Sequence, residues 1–376
     1  MMSHKERFMM AAKLGEPDLV PICAWLDPVP VEKITGKAMI GGAGYTSARK
    51  SDQRIDIDEI SVRNQRLMNE TCRRLGLDAF NLDTEFIYER GYEPDYVDSD
   101  TYIDHFRRVW RIREDVKTTY WIDGLIKSPE DLDRFRPPDP DEMCYDIVDI
   151  TVEEAADEYP VIAWCHLSET ISWQMRGGID KMVQDIYRKP EFARRLIGTV
   201  AEINLEIVKR VMDRGVDLIV WDDDIADSKS PYYPRRIFED FYFSYAKRLI
   251  QECRKRDVLV MKHSDGNLYP ILDELIALGI NGLHPIEPGV MDLADVKKKY
   301  GKKIFLMGNV DCVHVLPYGS EEDVRKDVRR CIDAAAEGGG FILADSNSIH
   351  NNCKVENVWT MVDEARKYGR YPTKQW

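Results

Sequence analysis

The stretch VMKHSDGN places His263 and Asp265 two residues apart, directly after an apolar run that reads as a core strand. A His and a carboxylate at the mouth of a strand supply one nitrogen and one oxygen from a single point of the backbone. Glu287 and Asn347 end two further apolar runs and add oxygens. Two chemistries fit this set. His263, Asp265 and Glu287 are candidate ligands of a zinc ion with an open fourth position, although an oxygen-rich, thiol-free set selects weakly for zinc. Equally, the same three residues are candidates for metal-free acid–base catalysis.

Such a site needs elements that bring distant residues together. Eight apolar runs qualify as strands: 20–25, 79–84, 161–166, 217–223, 258–264, 282–287, 304–310 and 341–346. Helical patterns alternate with them, at 57–76, across 168–213 with breaks at Gly177-Gly178 and Pro190, and at 234–256, 267–278, 292–300, 320–336 and 355–368. Ser3 and Glu6 form a capping-box pattern that opens a first helix. Continuous apolar strands alternating with helices predict parallel βαβ units. Eight units predict an α/β fold of the (β/α)8 TIM-barrel type, a single domain over residues 1–376. The aromatic, β-branched stretch 101–122 predicts an inserted β-hairpin. An open doubly wound sheet would want a glycine-rich phosphate turn; GGAGYTS at 41–47 follows no clear strand and is a weak fingerprint.

In a parallel barrel the carboxyl ends of all strands share one rim, where barrel enzymes carry their chemistry. The residues at those ends are Trp25 and Asp27, Asp83 and Glu85, Trp164 and His166, Trp221 with Asp222, Asp223 and Asp224, His263 and Asp265, His284 and Glu287, Asn309 and Asp311, and Asp345 with Ser346 and Asn347. From these, and from Tyr232 beyond the fourth run, the expected substrate contacts are Trp25, Asp27, Trp164, Trp221, Asp222, Tyr232, Asn309 and Asn347. The competing uses are ordinary: an Asp after a strand caps a helix, an aromatic fills a core, and His284, followed by Pro285, fits a satisfied core position.

The chain has 376 residues and a net charge of −14. That charge repels nucleic acid and anionic membranes on average. No apolar run reaches the roughly 18–20 residues of a membrane span, and the first residues lack a secretion-signal pattern. Eight scattered Cys without a CxxC pair read as reduced thiols of a cytoplasmic protein.

KHSDGN, GINGLHPIEPGVMDLADVKKKYGKKIFLMGNVD, GGGFILADSNSI, WDDDIADSKSPYYPRRIFEDFY and the opening KERFMMAAKLGEPDLVPI together resemble the uroporphyrinogen decarboxylase superfamily, which includes corrinoid-dependent methyltransferases. The resemblance spans nearly the whole chain and implies a (β/α)8 barrel. Its departures narrow the function. True decarboxylases of that family carry an Arg-rich N-terminal segment, and PICAWLDPVPVEK has no Arg. The methyltransferase branch uses a zinc thiolate site; His263 matches its His, while Asp265 and Asn347 stand where its Cys would be. The resemblance therefore implies a methyltransferase that passes a methyl group from a small methylated donor, such as a methoxylated aromatic, to cob(I)alamin on a separate corrinoid protein. Zinc is an optional cofactor in this reading, and a homodimer is expected because related barrels often pair. The alternatives are a decarboxylase or lyase acting on a small carboxylate, for which Arg176 is the available cation, and a non-enzymatic binding protein.

Overall fold

The computed structural model describes residues 2–39, 57–113, 115 and 117–372; the glycine-rich stretch 41–47 lies outside them. In chain order the strands are β1 (Phe80–Asp83), β2 (Asp95–Tyr96), β3 (Thr101–Ile103), β4 (Arg108–Arg113), β5 (Thr118–Gly124), β6 (Val161–Cys165), β7 (Leu218–Asp222), β8 (Leu259–His263), β9 (Gly282–His284), β10 (Phe305–Val310) and β11 (Phe341–Asp345). Seven of them form one parallel sheet in the order β1-β6-β7-β8-β9-β10-β11, so within this sheet every strand pairs with the next of its strands along the chain.

The sheet curls. Alternate residues of its strands, including Ile162, Trp164, Leu218, Val220, Met261, Phe305, Met307, Ile342 and Ala344, form one buried cluster together with Ala79 and Cys23. Residues from both edges and the middle of a seven-stranded sheet meet only if the sheet wraps around them. Phe8, Ala11 and Ala12 of the N-terminal helix His4–Ala12 join the same cluster from below. Its start carries the expected capping box between Ser3 and Glu6. Inside the cluster Gly282 faces Phe305, and a Cβ there would fall 2.2 Å from the ring. The absence of a side chain at 282 lets the Phe305 ring fill the interior. The opposite residues of each strand, such as Val161, Ala163, Ile219 and Leu343, face the surrounding helices.

The run 20–25, read from sequence as a strand, instead bridges the sheet edges. It makes isolated parallel bridges to the β11 side at Ile22–Leu343 and Leu26–Ile349. Toward β1 its partners are mostly side chains: Ile22 N–H donates to Asp78 Oδ2 at 2.8 Å, and Asn81 Nδ2 donates to the Ala24 carbonyl at 3.1 Å. Asp78 thus does work that a second ladder would otherwise do. It also accepts from His4, Arg7 and Arg366, tying the first helix to the last.

The inserted hairpin is larger than expected, an antiparallel sheet in the order β2-β3-β4-β5. It leans on the rim through helix Glu169–Arg176: a Cβ at Gly124 would meet the Gln174 carbonyl oxygen at 2.0 Å, so this approach requires glycine. Region 168–213 breaks into three helices at Gly177-Gly178 and Pro190, as read from sequence. The helix expected at 234–256 is interrupted at Tyr242, whose backbone lies outside the helical region. The one expected at 267–278 begins only at Leu272, which leaves 264–271 free to shape the rim. All eight cysteines are buried and free. No helix among the described residues is long and apolar enough to cross a membrane.

Candidate functional site

Strand register builds the centre of the site. Asp222, His263 and His284 are direct neighbours on β7, β8 and β9, and the period-two alternation turns all three inward. His263 Nδ1 and His284 Nδ1 lie 2.6 Å apart, so one ring donates to the other. His284 also donates to the main chain at Asp345. The other ring nitrogen of His263, Nε2, faces Asp222 at 3.6 Å and Asp224 at 3.9 Å. Burial, followed by the charges of Lys262 and His166, pushes His263 down to about 3, which keeps it neutral. Trp164 forms the floor, its ring 5.4 Å from His263 and 5.5 Å from His284.

The loop after β8 adds the carboxylates. Asp265 N–H donates to Asp224 Oδ1 at 2.9 Å. Asn347 Nδ2 donates to Asp265 Oδ2 at 2.8 Å, joining the ends of β8 and β11. Gly266 N–H donates to Glu287 Oε2 at 2.7 Å. The residues 263, 265, 287 and 347 are therefore gathered at one mouth. Burial raises Asp265 to about 7, helped by the charges of Asp224, Glu287 and Asp222. Its Oδ1 is buried without a hydrogen-bond partner. Burial likewise raises Asp222 to about 6.

A second set extends the rim toward β1. Arg108 of the inserted sheet is buried and donates to Glu85 Oε1 at 2.7 Å, Asp104 Oδ2 at 2.6 Å and Gln174 Oε1 at 2.8 Å. Glu85 lies 3.8 Å from His166 Nε2, and Asp223 lies 3.6 Å from His166 Nδ1. Burial opposes charge on both Glu85 and His166. Arg108 and His166 outweigh it and hold Glu85 down at about 2, while Glu85, Asp222 and Asp223 hold His166 well above the usual imidazole range. Asp223 is a cap: it accepts the backbone N–H groups of Leu167, Ser168 and Thr170 and the Trp221 indole N–H. From sequence Glu85 and His166 were listed among the polar strand ends without a role, and Arg108 was not singled out. His166 was visible as a polar strand end, whereas nothing in the hairpin pattern marks Arg108 as inward.

Two expected contacts, Trp221 and Asn309, are placed elsewhere. Trp221 alternates outward, packs among the helices and carries Lys262 Nζ 4.6 Å above its ring. Asn309 donates to the Ile286 carbonyl and accepts from Arg330 of an outer helix, so its amide is spent on the scaffold. Tyr232 packs at the edge of the outer core. Trp25 is half-buried and touches Trp164 at 5.6 Å. Asp27 precedes a helix without capping it by its side chain. The zinc triad does not fit. Among the described residues no group of three His, Cys, Asp or Glu side chains is arranged to hold a metal.

Comparison with known proteins converges on one family. The family model described as uroporphyrinogen decarboxylase (URO-D) matches residues 114–368. A uroporphyrinogen decarboxylase of Alkalilimnicola ehrlichii is 24% identical over 274 residues, covering 68% of this chain and 71% of that protein. The methylcobamide:CoM methyltransferase MtbA of Methanosarcina mazei is 24% identical over 255 residues, covering 66% and 71%. Among solved structures, a methyltransferase from Methanosarcina mazei superposes with a TM-score of 0.71 at 17% identity, covering 98% of this chain and 99% of that one. A B12-independent methionine synthase from Shewanella sp. W3-18-1 gives 0.52 at 14% identity, covering 93% and 98%. The structural likenesses establish a shared fold.

Proposed function

The chain belongs to the uroporphyrinogen decarboxylase family, and from that premise we propose that it is a methyltransferase moving a methyl group from a small methylated donor, a methoxylated aromatic, to cob(I)alamin on a corrinoid protein. Similarity to a methylcobamide methyltransferase supports methyl transfer involving a corrinoid. The corrinoid is the second substrate and supplies the nucleophile. In the transfer the methyl–oxygen bond breaks, its electron pair stays on oxygen, and that oxygen takes up a proton to leave as a phenol.

The observation that carries this reading is Asp265. An aryl ether needs its leaving oxygen protonated, and Asp265 is a carboxyl raised to about 7. Asn347 donates to Oδ2, so the proton resides on Oδ1, the buried oxygen without a partner. Glu287 anchors the loop through Gly266 N–H, and its charge contributes to keeping Asp265 protonated. His263, kept neutral by burial, faces Asp222 and Asp224 beside Asp265. Trp25 and Trp164 supply apolar walls. No step passes through a metal, because the donor groups among the described residues do not converge on one.

The lyase reading requires a cation open to a substrate carboxylate. Arg176 is instead paired with Asp185, and Arg108 is committed to Glu85 and Asp104. An idle binding protein has no chemical use for several buried carboxyls of raised affinity for protons. The test is to incubate the purified protein with cob(I)alamin and a panel of methoxyphenols, following the methylated corrinoid by its absorbance and the phenol by chromatography. Both products are expected in equal amounts; a broad panel giving neither contradicts the proposal.

A further inference from the structure

One buried cation beside the rim takes no part in the chemistry above. Lys262 precedes His263 on β8 and is paired in register with Trp221 of β7. Strand alternation turns it away from the interior, to the outer side of the sheet. It is 0% exposed, and no other lysine among the described residues is buried. Taking an ammonium out of water is costly unless its donors are met. Here the main chain meets them. Lys262 Nζ donates to the carbonyls of Trp221 at 3.4 Å, of Asp223, and of His263 at 2.5 Å. An ammonium has three N–H donors and no acceptor, so three carbonyls use all of them. The Trp221 ring adds a cation–π contact from 4.6 Å. Glu169, buried nearby with neither carboxyl oxygen hydrogen-bonded, does not compete for the cation. Its burial, then the Asp223 charge, raises it well above the ordinary carboxyl range against the pull of Lys262, so it is a neutral acid.

The three carbonyls share a place in the fold. They lie where β7 and β8 leave the sheet. The Trp221 carbonyl adjoins Asp222, the Asp223 carbonyl adjoins Asp224, and the His263 carbonyl leads through Ser264 to Asp265. Above the ammonium the two exit loops meet through lighter links. Ser264 Oγ accepts the Ile225 N–H at 3.0 Å, and the half-exposed Asp224 accepts the Asp265 N–H at 2.9 Å. We infer that Lys262 is a positioning residue: its ammonium clamps the exit loops of β7 and β8 together, and the clamp holds Asp265 at the place from which it serves methyl transfer. Lysine suits this task because its three donors diverge from one nitrogen, whereas arginine spreads its donors over a flat fork. The clamp is a matter of main-chain geometry; only its consequence for rate rests on the methyl-transfer reading.

The test compares the full-length wild type with Lys262→Met, which keeps the length of the side chain and removes its donors. Amide hydrogen exchange is read first, without corrinoid or donor. Exchange at Ile225 and Asp265 is expected to speed up about tenfold or more, the scale of a lost charged hydrogen bond, while the β10–β11 ladder exchanges as before. No change in the two loops, or an equal rise throughout the sheet, overturns the clamp. Single-turnover methyl transfer from a methoxyphenol to cob(I)alamin is read second. Its rate is expected to fall by roughly 10²-fold with the affinity for the methoxyphenol unchanged by calorimetry. A rate that is unchanged, or that falls only through weaker donor binding, overturns the positioning role. If the wild type transfers no methyl group, the methyltransferase reading falls, and the exchange pattern still decides the clamp. Should Lys262→Met not fold, the wild type carrying isotope-labelled lysine decides it by nuclear magnetic resonance. An ammonium held by three carbonyls keeps its protons against exchange with water at neutral pH, so one persistent lysine Nζ signal is expected, and its absence overturns the clamp.

Discussion

Asp265 has a raised affinity for protons for a reason that can be altered one neighbour at a time. Burial does most of the work and the carboxylates at 224, 287 and 222 add to it, while the Asn347 amide pulls in the other direction. Removing that amide in Asn347→Leu takes away a donor that favours the ionised form. The descending limb of the pH–rate profile is therefore expected to move to higher pH, read from single-turnover methyl transfer between pH 6 and 9. A limb that stays in place or moves down contradicts this assignment. Much of this was legible in KHSDGN, because a His and an Asp leaving a core strand have few other destinations. The carboxylates that act on them were less legible. Asp223 and Asp224 look alike in WDDD, yet one caps a helix with its whole side chain and the other receives the Asp265 N–H. Which of three consecutive Asp does which task depends on the turn taken after β7, and spacing does not encode that.

At the scale of elements, the alternation of apolar runs and helical patterns was enough to place all seven strands of the parallel sheet. It failed where tertiary partners replaced local ones. The run 20–25 has strand composition, yet Asp78 and Asn81 substitute for much of one ladder. Trp221 sits at a strand end but faces outward, which a residue list without a register cannot show, and the Asn309 amide is drawn to Arg330 of an outer helix although Phe305 and Met307 of the same strand face the interior. The inserted sheet was recognised as a hairpin, but not its attachment. Arg108 is 5% exposed and ties that sheet to Glu85 on the rim. Its replacement in Arg108→Met leaves Asp104 buried without its cation. Breaking a buried pair in this way costs on the order of 3–5 kcal/mol, to be measured by urea unfolding, with Arg108→Lys recovering part of the loss. A loss below about 1 kcal/mol would mean that the inserted sheet is held by its other contacts. Glu85 is also expected to protonate more readily in Arg108→Met, since Arg108 heads the interactions that keep it ionised.

For the molecule as a whole, the carboxyls of the rim give stability an unusual dependence on pH. Asp83 at about 8, Asp265 and Asp345 at about 7, and Asp222 at about 6 all hold protons that the unfolded chain, with carboxyls near 4, has released. His166 is raised as well. Where the native state binds more protons, stability falls as pH rises. Acidification from pH 8.5 to 6.5 is therefore expected to raise the melting temperature by calorimetry. Below about 6.5 the gain is opposed, because His263 and His284 stay neutral when folded and become charged when unfolded. Asp78, depressed by His4, Arg366 and Arg7 against its own burial, opposes further acidification: its contribution is full above about 4 and is lost as pH falls toward its lower native value. Stability that climbs steadily from pH 6.5 to 8.5 would contradict the clustered, protonated carboxyls from which the site is built.

The most direct measurement is the single-turnover rate of methyl transfer from a methoxyphenol to cob(I)alamin, wild type against Asp265→Asn, across pH 6 to 9. The expected result is a wild-type rate that declines above about pH 7, and a variant slower by roughly 10²–10⁴-fold that binds the donor normally and shows no such decline. A variant that transfers methyl groups at the wild-type rate with the wild-type pH profile would show that the carboxyl at 265 does not protonate the departing oxygen.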